Sequence, residues 1–416
     1  MIRQVLPVFI FLIFSGLGSA QNINLGPLKG TLGVQAGLEY TDNLNNSETN
    51  RVTDFKWRFG PTFNGGLTIP IHIAGTGGEE MTISTGFAYS EEYSLNGNGS
   101  TRNFSSPVTA DVYIPVAFGE WKLVVNESFT FENNNLDAAV AINESTQSFQ
   151  QYNNNLSVGL TRNFGRASIT FGGGRRDTIA PSEPSLEETV YNFSVTPAFL
   201  IRENYSIFWS TSYSLTYQAD SQLQDSYGYS SSVGVNGQLT PYLNGTVSVG
   251  YSYAHLKTQV IGPGSGIFGG IFDPVTLRAD NIEGVTTTIA LSYAHPLNPN
   301  TSYSISVFNS PGVTSTLTDS SIQSSYGGGL NITHQLTPST TLSPSFNYFH
   351  SQDAGRQPPG ATAQSTDVFS AQMRLSRTIT SRITVTMDYQ YILRSSNLPG
   401  GNYYVNQVNV YTGYTF

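Results

Sequence analysis

From Thr31 to Thr41 the chain reads TLGVQAGLEYT, and the residues fall on two faces. Leu32, Val34, Ala36, Leu38 and Tyr40 share one face; Thr31, Gly33, Gln35, Gly37 and Glu39 share the other. The pattern returns at Met81–Tyr89, where Met81, Ile83, Phe87 and Tyr89 oppose Thr82, Ser84, Gly86 and Ala88. It returns again where Ile383, Val385, Met387, Tyr389 and Tyr391 oppose Arg382, Thr384, Thr386, Asp388 and Gln390. A period of two marks a strand with one apolar and one polar face. Strands of soluble sandwiches are about 5 or 6 residues long. Many here reach about ten, the length that crosses a bilayer at a tilt of about 45°.

Following the alternation gives segments near 30–42, 54–74, 80–93, 106–117, 121–131, 149–161, 166–176, 190–201 and 205–219. The rest lie near 227–239, 243–256, 282–294, 301–310, 325–335, 340–350, 367–376, 382–392 and 403–416. That makes eighteen strands, or sixteen if one weak hairpin is miscounted; both are even, as a single-chain barrel with both ends on one side requires. Short connections, such as Ala117–Glu120, Arg162–Gly165 and Arg202–Asn204, alternate with long polar ones, such as Glu132–Ser148 and Lys257–Asp280. The expected fold is therefore all-β: one closed antiparallel transmembrane barrel with tight periplasmic turns and long extracellular loops. The tetrapeptide QLTP, at Gln238–Pro241 and again at Gln335–Pro338, falls at two short corners. Pro pre-sets the second position of a turn and holds the residue before it extended, so the repeat reads as punctuation.

The N-terminus sets the compartment. Arg3 precedes a ten-residue apolar core, VLPVFIFLIF, and small residues follow at Gly18 and Ala20. Residues 1–20 read as a cleaved signal peptide, too short in its apolar core to span a bilayer as a helix. Residues 21–29 read as a short periplasmic segment and 30–416 as the barrel, placing the protein in the outer membrane as a multi-pass barrel. Composition agrees: charged residues are 11% of the 416, cysteine is absent, and 24 Tyr and 24 Phe stand among 41 Gly. The formal charge of -9, with no basic stripe, excludes nucleic acid as a partner.

Aromatics in the lipid-facing phase gather at both strand ends: Tyr40, Trp57, Tyr191 and Tyr391 beside long loops, Trp121, Phe199, Tyr293 and Tyr414 beside short turns. Two belts are what membrane–water interfaces require. Three strands carry Pro in the apolar phase two residues before Phe, at Pro61, Pro197 and Pro344, where a bulge or kink near the periplasmic rim is expected. Glu127 falls in the lipid phase between Val125 and Phe129, which calls for a bulge or a contact between protomers.

The chain ends YYVNQVNVYTGYTF, and its Tyr414 and terminal Phe416 resemble the C-terminal signal read by the barrel-assembly machinery. The stretch GLEYTDNLNNSETNRVTDFKWRFGPTFNGGL, from Gly37 to Leu67, is similar to the opening of the β-barrel porin 2 type. The LTP corners suit that group as well. The resemblance implies a Gram-negative outer-membrane pore, or a barrel that exports or anchors polysaccharide, because such barrels are often encoded beside exopolysaccharide genes. It supplies no catalytic residues.

An enzyme is not expected. No Gly-x-Ser-x-Gly elbow occurs, and the five histidines, His72, His255, His295, His334 and His350, show no metal-ligand spacing. Neither metal nor cofactor is called for. The polar phase carries Glu39, Lys56, Arg58, Asp111, Lys122, Arg176, Arg374, Arg382 and Asp388 as candidate pore-lining residues. Six basic against three acidic groups suggest a mild anion preference, unless they pair across strands and merely line the wall. In the longest loop Ile267, Phe268, Ile271 and Phe272 are candidates for a constriction. Two functions stay open: passive diffusion of small hydrophilic solutes, or an export and anchoring partner in polysaccharide secretion. Expected partners are outer-membrane lipid, the assembly machinery and the solute or glycan, with a homo-oligomer left open.

Overall fold

A strand with one apolar and one polar face must cover the first and wet the second, while both of its backbone edges need hydrogen-bond partners. Closing the sheet into a ring meets all of these demands. A computed structural model describes residues 23–43, 46–71, 79–95, 100–135, 148–181, 187–219, 225–257, 259–261, 275–277, 280–294, 298–315, 320–353, 364–397 and 401–416. The strands begin with β1 (Ile23–Leu25), β2 (Leu28–Thr41), β3 (Asp54–Ile71), β4 (Glu79–Ser94), β5 (Ser100–Phe118), β6 (Trp121–Asn135) and β7 (Ser148–Phe164). They continue as β8 (Ala167–Ile179), β9 (Glu188–Arg202), β10 (Tyr205–Gln218), β11 (Ser226–Thr240), β12 (Leu243–Leu256), β13 (Gln259–Ile261) and β14 (Val275–Leu277). The last are β15 (Asp280–Ala294), β16 (Thr301–Ser315), β17 (Ser320–Thr337), β18 (Thr340–Asp353), β19 (Ser365–Thr380), β20 (Ile383–Ser396) and β21 (Tyr403–Thr415).

Among the described residues, eighteen of these strands are 13 to 19 residues long and form one antiparallel ring. Each pairs with the next in sequence, β12 passes directly to β15, and β21 returns to β2. The expectation of eighteen holds and the alternative of sixteen falls. The seam runs from Gly33↔Thr415 to Thr41↔Gln407. It is locked at both ends: the Phe416 amide donates to the Leu32 carbonyl at 2.9 Å, and the Asn406 amide donates to Asp42 Oδ1 at 2.7 Å. A Cβ on Gly33 would lie 2.6 Å from Thr62 Oγ1 and 2.7 Å from the Tyr414 carbonyl, so glycine permits this close approach at the seam. Below the point where β21 stops, β1 turns back and pairs with the start of β2 through Ile23↔Gly30.

The apolar phase faces out. Trp209, Val233 and Val249 line up across three strands and are each more than half exposed. Rings cluster at both ends of this surface. At the loop end Trp57 stacks on Tyr93 at 4.6 Å, Tyr191 meets Tyr217 at 6.0 Å, and Tyr391 meets Tyr404 at 6.4 Å. At the turn end Tyr293 meets Tyr303 at 6.1 Å, and Tyr414 meets Phe416 edge-on at 5.2 Å. Two further tyrosines at the loop end share a design. Tyr251 donates to Glu283 on the next strand, and Tyr348 donates to Asp367 on the next strand at 2.7 Å.

The doubled QLTP is a self-closing corner. Gln238 Nε2 donates to the Pro241 carbonyl at 3.2 Å, and Gln335 Nε2 donates to the Pro338 carbonyl at 3.4 Å. Thr240 Oγ1 accepts the Tyr242 amide and Thr337 Oγ1 the Ser339 amide, at 3.4 and 3.3 Å. Both corners carry a register shift just before the turn, as does the third at Thr378/Thr380.

The prolines require a correction. No register shift occurs at Pro61, Pro197 or Pro344, so none of them marks a bulge. Each pairs on one side, with Val34, Ile169 and Met373 respectively. On the other side two rungs of the ladder are missing, because the absent N–H belongs to a hydrogen-bonded pair there. At Pro197 a side-chain bond spans the gap, Thr196 Oγ1 lying 3.0 Å from Ser210 Oγ. Pro61 also sits in mid-strand rather than near a rim. A shifted register does occur between β4 and β5, beside Pro107.

Restoring a donor tests this account. Pro344→Val should raise the unfolding free energy by about 1 kcal/mol for a recovered hydrogen bond, read as a higher urea midpoint of the refolded barrel; an unchanged or lower midpoint refutes it.

Candidate functional site

Eighteen strands about 4.8 Å apart and tilted by about 40° enclose a bore about 35 Å across between backbones. Side chains alone do not fill such a width. The inward phase is mostly short and polar, and hydroxyls bond across it: Ser212 Oγ lies 2.7 Å from Ser230 Oγ, and Thr161 Oγ1 lies 3.0 Å from Thr170 Oγ1. Burial on this wall concentrates toward the loop end, at Asp54, Thr178, Val190, Ser226, Leu256 and Tyr403.

Eight of the nine pore-lining candidates stand on the inner face, and most are neutralised locally. Near the loop end Glu39 on β2 meets two cations of β3, Lys56 Nζ at 3.7 Å and Arg58 Nη2 at 3.6 Å. A few strands further round the ring, Arg176 Nη2 meets Glu188 Oε1 at 2.5 Å. Deeper in the bore Asp388, 5% exposed, accepts Gln372 Nε2 on both oxygens at 2.9 and 2.8 Å. Arg374 Nε lies 3.7 Å from the same carboxylate, with half of its side chain exposed to the bore. Asp111 and Lys122 stand on β5 and β6 with no ion-pair partner among the described residues.

Arg382 is the exception. It occupies the two-residue turn between β19 and β20, where its amide donates to Thr380 Oγ1 at 3.3 Å; it belongs to the turn rim, not to the wall. The constriction candidates Ile267, Phe268, Ile271 and Phe272 lie outside the described residues, as do the signal segment, His72 and His295. The three described histidines sit outside the bore. His350 Nδ1 lies 2.8 Å from Asp367, His334 Nδ1 lies 2.8 Å from Thr301 Oγ1, and His255 lies against Tyr227 with ring centres 4.8 Å apart. Tyr414 and Phe416 stand at the seam, where Tyr414 pairs with both Val34 and Ile383.

The structure adds Lys29, Glu188 and Arg394 to the inner wall. Arg394 is 3% exposed and lies over the Tyr403 ring at 5.8 Å. Two recesses open on the wall. One, of about 400 Å³ near the loop end, is lined by Arg176, Glu188, Asn192, Ser214, Gln218 and Ser230, among others. The other, of about 660 Å³, takes in Lys29, Thr31, Asn64, Gly66, Gly86 and Thr109, where missing side chains hollow the wall.

Removing the carboxylate from the Arg374 site has two expected effects. Asp388→Asn should lower unfolding stability by about 1–3 kcal/mol, through the weakened buried hydrogen bonds. It should also move the reversal potential in a salt gradient toward anions, because Arg374 is left uncompensated; a shift toward cations contradicts the placement.

No protein-family model matches the chain, and no curated protein does. The resemblance to the β-barrel porin 2 type therefore rests on the motifs quoted above. Solved structures do align with it. OccAB3 of Acinetobacter baumannii has a TM-score of 0.45 at 10% identity, over 94% of this chain and 100% of that one. OpdL of Pseudomonas aeruginosa has a TM-score of 0.43 at 12% identity, over 94% and 99%. OccK2 (OpdF) of the same organism, in complex with glucuronate, has a TM-score of 0.44 at 9% identity, over 94% and 98%. At these TM-scores the functional argument rests on the chain's own geometry.

Proposed function

We propose that the chain is an outer-membrane pore through which small hydrophilic solutes diffuse passively. The observation that carries this reading is the closed ring of eighteen strands, apolar outside and lined inside by hydroxyl, amide and glycine positions around a bore too wide for them to fill. The ring's short connections take the periplasmic side and its long ones the outer side. Among the described residues the inward rings are Tyr113, Phe208, Phe308, Phe349, Tyr403 and Tyr411; Phe308 and Phe349 meet at 6.2 Å, and no ring contact joins the others into an aromatic track for a glycan. The pore reading is therefore preferred over polysaccharide export.

Selectivity follows from local pairing more than from the count of charges. At the Glu39 cluster two cations share one carboxylate. Sugars of graded size should cause liposome swelling with a sharp upper limit; absence of swelling with the smallest sugar overturns the pore. Glu39→Gln unmasks Lys56 and Arg58, and should raise the anion-to-cation permeability ratio about twofold in planar bilayers, as charge on a pore wall biases selectivity. An unchanged ratio would remove the cluster from the conduction path.

A further inference from the structure

The outer wall carries charges that neither the lumen nor the girdles use. Glu127 on β6 is exposed, and its register is unbroken on both sides, Val112↔Glu127 and Glu127↔Leu156. No bulge turns it inward, so that expectation falls. Glu127 stands six residues from Trp121 and four from Phe131 along the strand. At about 2.5 Å of height per tilted residue it sits near the middle of an apolar band about 25 Å tall. Val125 and Phe129 flank it in the same phase, and it has no hydrogen-bond or ion-pair partner among the described residues. A carboxylate facing lipid there is unfavourable.

Two strands on, in the same outward phase, Arg175 pairs with Leu156 across the ladder. It is held by Asp177 at 2.9 Å and lies 5.7 Å from the Tyr191 ring, yet half of its side chain is exposed. Because the strands are tilted, the β8 residue level with Glu127 is about two positions earlier, which is Gly173. Arg175 is the next outward residue above it. A glycine at that level leaves open space on the outer surface.

We infer that the β6–β8 face is a contact between two copies of this chain, related by a two-fold axis along the membrane normal that passes through β7; this rests on the outer-membrane reading above. Copies in one membrane keep the same height, so a residue meets only partners at its own depth. About an axis on β7, Leu156 and Val158 meet their own counterparts. Glu127 of each copy then faces Gly173 of the other, with Arg175 one step above and long enough to reach the carboxylate. The contact is self-complementary, as a two-fold interface must be, and at each of its two sites it brings Glu127 to an exposed guanidinium that Asp177 already holds in place.

The test uses the absence of cysteine from the chain. Leu156→Cys and, as control on a distant lipid-facing strand, Val249→Cys are each placed in the full barrel in liposomes. They are then treated with a bismaleimide about 10 Å long, the face-to-face spacing of packed sheets. A product of twice the chain mass from Leu156→Cys but not from Val249→Cys supports the contact. Adding Glu127→Leu, which suits lipid better than the native residue, should then lower the cross-linked fraction about tenfold at limiting protein density, as expected for loss of a desolvated charge pair. Equal products from both sites, none from Leu156→Cys, a product of another mass, or indifference to Glu127→Leu overturns the inference. Conductance of each variant separates the two ideas: conducting barrels that fail to cross-link refute only the contact, whereas barrels that insert without conducting refute the pore.

Discussion

Every feature of this barrel depends on one constraint: in hydrocarbon no water completes a backbone hydrogen bond. A sheet can meet it only by leaving no edge, and the nine paired positions between β2 and β21 remove the last two edges. Once the ring is shut, the apolar phase must face out and the polar phase must face in. The three prolines show how strict the condition is. Each is tolerated because it withholds a donor from one neighbour only, and the register passes it undisturbed.

The same constraint explains what could be read from the sequence. Alternation is a backbone property, so eighteen segments and the sides of their side chains were visible from Thr31 onward. Strand ends were less visible, because near the rims polar residues occupy both phases. Lys29, Glu188 and Arg394 each lie one or two residues beyond the segment expected to hold them, and that is why they were missed. Arg382 was taken for a wall residue for the opposite reason: its phase continues into the turn. Pairing between strands was not legible at all. Register decides that Glu39 meets Lys56 directly and that Arg374 meets Asp388; in the second case it follows a corner whose register shift a period of two does not reveal.

Local neutralisation gives the bore its character. Charges that would repel one another around a ring are instead distributed as small clusters, each anchored on one carboxylate. The wall facing the bore presents dipoles and hydroxyls more than a uniform field. Such a wall stays wet through its hydroxyls and amides, with less preference between ions of opposite sign.

The two QLTP corners mark more than turns. Tyr229, Tyr251 and Tyr253 recur 97 positions later as Tyr326, Tyr348 and His350, and each set hands a tyrosine hydroxyl to an acid on the following strand. In a ring of eighteen, four strands correspond to a rotation of about 80° about the barrel axis. Part of the outer surface is thus a turned copy of another part. Two sectors of the outer rim about 80° apart therefore present the same tyrosine–carboxylate pair to their surroundings.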